Sequence, residues 1–268
     1  MDLSVASDTR AAYDELAHVY DGLTAHHDHE AWLGQLLELA RAHGLAGQRL
    51  LDVGCGTGKS FMPLARRGFD VTACDISPRM AARARRRSRG HGVAVHVADM
   101  RRLPVLCEGA DLVTCLDDAV NYLLDGDELR AGLCGMRRNL RPGGLLLFDV
   151  NTLATYRSVF CEGMRWRSGE CTYVSVGEPR RLCAGGLFAT TLRACRGDVL
   201  LADSRHVQRH HPVPELEQAL VAAGMEPLAV YGSATDGAPV RPPDEGRHTK
   251  LVVVARRPPV SPTERARR

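Results

Sequence analysis

Residues 50–60 read LLDVGCGTGKS, and the fold follows from how that stretch is parsed. Leu50, Leu51 and Val53 form the end of a short apolar strand. Gly54, Gly56 and Gly58 follow at once, and Phe61, Leu64 and Ala65 then recur at helical spacing. Strand, glycine turn and helix make a nucleotide-type site. Glycine permits a tight turn and close approach of a ligand to the backbone, while the helix N-terminus presents free amides and a partial positive charge. Spacing separates the ligands that use such a turn. A dinucleotide fingerprint needs G-x-G-x-x-G, but the sixth position here is Lys59. A phosphate loop needs G-x-x-x-x-G-K-[ST]; Gly58, Lys59 and Ser60 supply its end, yet its first glycine would fall on Val53. What remains is an acid followed by G-x-G-x-G over residues 52–58.

Composition narrows the class around this turn. A chain of 268 residues is one large domain, or a core domain with an insertion, and buries a substantial core. Its 44% hydrophobic and 25% charged residues are ordinary for a soluble globular protein. A formal net charge of +3 is too small to point to nucleic acid or a membrane surface as partner. The nine cysteines are scattered, odd in number and without a C-x-x-C pair, so they read as buried reduced thiols, not a disulfide framework or a zinc site. The opening MDLSVASDTR lacks the apolar core of a signal peptide, and no segment has the length to span a bilayer; the expectation is a soluble, cytoplasmic chain.

Beyond the glycine turn, strand and helix keep alternating. Gly68 ends the first core helix, and residues 69–74 form a second strand finishing on Asp75. That acid lies about twenty residues past the turn, where a doubly wound fold places the carboxylate that accepts from ribose hydroxyls. The other reading of Asp75, a helix cap, is already served by Ser77 followed by Pro78. The basic run over residues 83–89 shares a helix with Ala81, Ala82 and Ala84 and reads as a solvated face in preference to an RNA patch. Val93, Val95 and Val97 alternate along a third strand that leads into Ala98, Asp99 and Met100. A fourth strand over residues 111–116 is followed by DDAVNY at 117–122. Leu129, Leu133, Met136 and Leu140 stripe a helix, and RPGG at 141–144 turns into a fifth strand over 145–150.

In this order and spacing, the motifs over residues 50–151 closely resemble those of class I S-adenosylmethionine (SAM) dependent methyltransferases. The resemblance implies an α/β fold with a doubly wound, Rossmann-like, seven-stranded sheet, SAM as cofactor and S-adenosylhomocysteine as product. It assigns cofactor contacts to Asp52, Gly54, Cys55, Gly56 and Gly58 of the turn, to Asp75 and Ile76, to Asp99 and Met100 at the adenine, and to Leu116. Two Tyr-Asp pairs ahead of the turn, Tyr13-Asp14 and Tyr20-Asp21, are similar to lid elements of small-molecule relatives, in which a tyrosine hydroxyl reaches the methionine carboxylate. The plain reading of that stretch is a packing helix with Ala12, Tyr13, Leu16, Ala17 and Tyr20 on one face. Nucleic-acid amino-methyltransferases usually carry [DNS]-P-P-[YFW] after the fourth strand, and LDDAVNYL has no proline. The resemblance therefore implies a small-molecule acceptor, with no nucleic-acid or membrane partner.

From Asn151 the pattern changes. Residues 160–210 show no good helix period but several alternating stretches, at 172–176, 187–192 and 199–207, with Gly185-Gly186 and Arg196-Gly197-Asp198 where hairpin turns belong. An antiparallel insert after the fifth strand resembles sugar N-methyltransferases of antibiotic pathways, in which it covers the acceptor pocket and contributes to dimer contacts. That resemblance implies a homodimer and a place in specialised metabolism. The expected organisation is lid helices over 1–44, a core over 45–151 and 212–257, the insert over 152–211, a surface loop over 232–246 and a disordered tail over 258–268.

The chemistry follows from SAM itself. Its sulfonium already activates the methyl group, so the protein must align acceptor, carbon and sulfur and exclude water, positioning that accounts for about 7–11 kcal/mol at best. An oxygen acceptor or a protonated amine also needs a base within hydrogen-bond reach. The catalytic candidates are Asp118, Asn121, Tyr122 and His27, with Asp117, His26, His206, His210 and His211 behind them. Asn121 orients an acceptor but is no base, and His210-His211 before Pro212 fits a surface turn equally well. The segment HHDHE at 26–30 invites a metal reading. No second cluster of His and Asp lies nearby in sequence to complete a shell, and Asp28 stands where it caps a helix carrying Trp32, Leu33, Leu36, Leu37 and Ala40. We therefore expect no metal. Two other functions stay open: an RNA or protein methyltransferase, and a SAM-binding module without catalysis.

Overall fold

The computed structural model describes residues 8–234 and 237–259. Three helices, α1 (Thr9–Leu16), α2 (Tyr20–Leu23) and α3 (His29–Ala42), precede β1 (Arg49–Val53), α4 (Met62–Arg66), β2 (Asp70–Asp75), α5 (Pro78–Arg87) and β3 (Ala94–Val97). Then come β4 (Ala110–Cys115), α6 (Gly126–Asn139), β5 (Leu140–Asn151) and α7 (Leu153–Thr155). The insert contributes β6 (Met164–Ser168), β7 (Cys171–Gly177), β8 (Leu187–Arg196) and β9 (Val199–Arg209). The chain returns through α8 (Val213–Ala222) to β10 (Glu226–Ser233), β11 (Pro239–Val240) and β12 (Lys250–Arg256).

The main sheet runs β11-β10-β12-β5-β4-β1-β2-β3, with β1 to β5 parallel and β10 to β12 antiparallel. The expected doubly wound sheet is present, and the two-residue β11 adds an eighth strand at its edge, inside the stretch expected to be loop. Every residue of β4 is buried, as a parallel strand covered on both faces requires. Alternate side chains divide between two cores. Leu51, Val53, Val113 and Phe148 pack under Leu129, Leu133 and Met136 of α6 and Leu216 and Leu220 of α8. Leu50, Val71, Leu112 and Leu147 pack under Trp32, Leu33, Leu36 and Leu37 of α3, with Leu64 of α4 and Ala81 and Ala84 of α5.

The caps named above form as expected. The Asp28 side chain accepts from the Ala31 amide at 3.0 Å, and Ser77 Oγ accepts from the Met80 amide at 3.0 Å. The lid differs from a continuous helix over residues 9–21. It breaks after Leu16, because Leu16, Ala17 and Val19 turn into a small core with Met80 of α5 and with Tyr173, Ala194 and Ala202 of the insert. The insert is a four-stranded antiparallel sheet, β6-β7-β8-β9, whose last hairpin turns at Gly197 with φ +56°. Its approach is helical: α7 runs into a π-helical turn, Tyr156–Glu162, that seats Tyr156 and Phe160 against Phe188. Among the described residues no helix is long and apolar enough to cross a membrane. The cysteines are free thiols, but only Cys55, Cys74, Cys107 and Cys115 are buried as expected; Cys134, Cys161, Cys171 and Cys195 are half-buried and Cys183 is exposed, because they lie on α6 or in the insert and not in the core of the main sheet. The expected tail beyond Pro259 lies outside the described residues.

Candidate active site

Strand order reverses between β1 and β4, and at the ends of these strands opens a cavity of about 820 Å³, its mouth included. The register explains its floor. Val53 pairs with Cys74, so the chain leaves β1 beside the end of β2, and the Gly54 and Cys55 amides both donate to the Cys74 carbonyl, at 2.8 and 2.9 Å. Gly54 has φ +72°, and a Cβ there would lie 3.0 Å from that of Ala119, so the backbone itself forms the cavity wall. Asp75 continues from β2 into this wall; one carboxylate oxygen accepts from the Gly56 amide and the other from the Ser77 amide, each at 2.8 Å. Burial pushes this carboxyl up to about 6, against the pull of those two amides.

Of the residues expected at the cofactor, Tyr13, Tyr20, Gly54, Cys55, Gly56, Asp75, Ile76, Asp99, Met100 and Leu116 all line the cavity. Asp52 and Gly58 do not. Asp52 is buried behind the turn, where its carboxylate accepts from Ser60 Oγ and from Thr114 Oγ1, so it ties the turn to β4. Gly58 has φ +89° and serves packing, since a Cβ there would come within 2.8 Å of the Phe61 ring. Asp99 lies on the wall with its carboxylate held by the Arg101 guanidinium and amide at 3.0 Å.

The loop after β4 sends its side chains in three directions. Asp117 and Asp118 both have left-handed backbone, φ +55° and +54°, a conformation rare outside glycine. Asp118 turns away from the cavity and receives Lys250 Nζ at 2.8 Å and Gln208 Nε2 at 2.6 Å. Burial works against the Lys250 ammonium, but Asp118, Asp149 and Asp117 outweigh it and hold its pKa above the ordinary value. Asp117 lies on the cavity wall with His29 Nε2 at 2.9 Å and His27 Nδ1 at 3.4 Å. Burial would raise the Asp117 carboxyl, but the contacts with His27 and His29 hold it well below the usual range. Tyr122 reaches the cavity, whereas Asn121 is buried as a strut, its amide donating to the Arg209 carbonyl at 2.8 Å and accepting from the Asn151 amide at 2.9 Å. Of the four catalytic candidates named first, Tyr122 alone lines the cavity; Asp118, Asn121 and His27 stand behind or beside it.

Tyr122 begins a polar chain. Tyr13 Oη donates to Tyr122 Oη at 3.0 Å, Tyr122 Oη is bonded to His206 Nδ1 at 2.9 Å, and His206 Nε2 is bonded to Ser204 Oγ at 2.9 Å. Burial pushes the His206 imidazole down to about 4, so it is neutral. His210 and His211 are both buried, His210 bonded to Glu245 and His211 to Arg209, so neither sits in a surface turn.

Sequence reasoning missed several contacts. Lys59, weighed only in sorting the glycine turn among ligand classes, lines the cavity, and its ammonium donates to the Thr24 carbonyl and hydroxyl, both at 2.9 Å, clipping the lid to the turn. The acids of the two Tyr-Asp pairs are fasteners as well. Asp14 accepts from Ser77 Oγ, and Asp21 accepts from Thr57 Oγ1 at 2.6 Å and pairs with Arg83 and Arg87. The regular recurrence of an acid after each lid tyrosine was the available signal.

Comparison with known proteins agrees with this geometry. The methyltransferase-domain family matches residues 50–144. A methyltransferase of Geobacillus sp. (strain WCH70) is 30% identical over 85% of this chain and 94% of its own. The crystal structure of a SAM-dependent methyltransferase from Clostridium acetobutylicum superposes with a TM-score of 0.76 at 21% identity, over 92% of this chain and 99% of the other. A SAM-bound amino pentose methyltransferase from Micromonospora echinaspora, involved in calicheamicin biosynthesis, gives 0.67 at 28% identity, over 90% and 95%. The cavity fits the cofactor of that family. The Asp75 carboxylate has lone pairs left for a vicinal diol, and the Gly54 wall admits a ligand to the backbone. The chain belongs to the class I SAM-dependent methyltransferases, with SAM as its cofactor.

Proposed function

We propose that the protein methylates an amine or hydroxyl of a small molecule held between the cofactor cavity and the antiparallel insert. The observation that carries this reading is the chain Tyr13–Tyr122–His206–Ser204, which links the cavity wall to β9 of the insert. When bound, SAM supplies an activated methyl group on a sulfonium sulfur. Asp75 would hold the ribose hydroxyls, and the Gly54 backbone, tied to the Cys74 carbonyl, would let the cofactor come close to the main chain. Tyr122 orients the acceptor through its phenol oxygen, which is itself fixed by the Tyr13 hydroxyl and by the His206 imidazole, kept neutral by its burial. Tyr13 and Tyr20 of the lid, with Lys59 fastening it, exclude water from the cavity.

The likeness to an amino pentose methyltransferase supports an amino-sugar type of acceptor and specialised metabolism as the setting. An RNA acceptor is disfavoured because three of the five arginines of α5 are engaged internally, Arg83 and Arg87 with Asp21 and Arg85 with the Val95 carbonyl. The test is incubation with methyl-labelled SAM and a panel of amino sugars and small phenols, followed by mass spectrometry of the products. Label transfer to a panel member is the expected result; label transfer to RNA or protein alone would overturn the reading.

A further inference from the structure

We propose that His27, His29 and Asp117 bind one divalent transition-metal ion of the zinc class at the rim of the cofactor cavity. The three ligand atoms lie within 4.8 Å of one another, with His29 Nε2 2.9 Å and His27 Nδ1 3.4 Å from the two oxygens of Asp117. An ion bound tetrahedrally at the usual nitrogen and oxygen distances spaces its ligands by roughly 3.4 Å, which falls between the 2.9 Å contact and the 4.8 Å outer limit of the cluster, so small side-chain adjustments bring all three onto one ion. A plain histidine–aspartate hydrogen bond needs only His29. His27 is a third donor, set against the other carboxylate oxygen.

The surroundings hold the three groups in place. His29 Nδ1 lies 3.1 Å from the His27 carbonyl, the contact by which metal-binding imidazoles fix their tautomer and aim the opposite nitrogen. Trp32 packs against both rings, with centroids 4.8 Å from His27 and 6.4 Å from His29. On the other side, the left-handed backbone at Asp117 and Asp118 turns the first acid to the histidines and the second to Lys250. Two imidazoles in the set favour a zinc-class ion over Mg²⁺ or Ca²⁺, which prefer oxygen ligands alone. Three protein ligands leave a coordination position open, and His29 and Asp117 both line the cavity. The open position therefore takes an oxygen or nitrogen atom of a small molecule entering that cavity. The histidines come from the lid and Asp117 from the core, so the ion also fastens one to the other.

Metal-stripped protein is titrated with Zn²⁺ by calorimetry and with Co²⁺ by electronic absorption, alongside Asp117→Asn and His27→Ala. Asparagine tolerates left-handed backbone, and the His27 side chain is 30% exposed, so both variants are expected to fold, which thermal melting checks. The expected result is one ion per chain, an affinity at least about tenfold weaker in either variant, and a Co²⁺ spectrum without a thiolate charge-transfer band. Absence of stoichiometric binding, equal affinity in the folded variants, or a thiolate band placing the ion on cysteine would each overturn the proposal. Neither titration contains SAM or an acceptor, so its failure leaves the methyl-transfer reading untouched.

Discussion

Replacing Asp75 by asparagine is expected to weaken S-adenosylhomocysteine binding on the order of a hundredfold without unfolding the protein. The carboxylate is buried at the end of β2, held by the Gly56 and Ser77 amides at 2.8 Å each, with its remaining lone pairs available to two ribose hydroxyls. A hydrogen bond to a charged group contributes roughly 1.5–3 kcal/mol; asparagine keeps one carbonyl oxygen, so a net loss of about 3 kcal/mol follows, near a hundredfold in Kd. The same residue makes binding pH-dependent. Burial pushes its carboxyl up to about 6, so above that pH it is ionised and accepts from both hydroxyls. Below it the proton turns one acceptor into a donor, and affinity should fall by up to about tenfold per pH unit, a slope that asparagine removes. Calorimetric titration of both proteins from about pH 8 down to about pH 5, with thermal melts to check the fold, reads both effects. Variant affinity within about threefold of the parent near neutral pH, or a parent affinity flat across that range, would refute the ribose assignment.

Tyr122→Phe breaks the link to His206 and should lower kcat by about a hundredfold or more while changing S-adenosylhomocysteine affinity less than about threefold; an unchanged kcat removes the polar chain from the mechanism. Burial pushes the Asp52 carboxyl up to about 7, above its unfolded value, so the ionised form burdens the folded state and stability from this group falls as pH rises from about 4 to about 7. Asp52→Asn should therefore gain on the parent by about 3 kcal/mol between about pH 5 and pH 8 in denaturant unfolding; a constant gap would show that Asp52 titrates normally. Phe188, 1% exposed and stacked on Tyr156 at 4.5 Å, anchors the insert to its helical approach. Phe188→Ala should cost about 3–5 kcal/mol, and a loss below about 1 kcal/mol would mean that the insert does not depend on this cluster.

Features carried by neighbouring residues were legible in the sequence. The glycine turn, Asp75 at the end of β2, the Asp28 and Ser77 caps and the Gly197 hairpin follow from local periodicity and turn chemistry, which tertiary context had no reason to override here. The same local rules misplaced residues whose side chain direction depends on a distant partner. Asp52 stands beside the glycines in sequence but faces Thr114 across β4, and Asn121 lies two residues past the cavity wall at Ala119 yet bridges β5 to β9. His29 and Asp117 are 88 residues apart, and Tyr122 and His206 are 84. Their meeting is set by strand order, which brings the loop after β4 beside the lid and the insert over both. A linear sequence records the spacing of ligands along one element, but crossover connections decide which element ends converge. The cofactor turn could thus be read from its own residues, whereas the polar chain and the histidine–aspartate cluster exist only once the sheet has assembled.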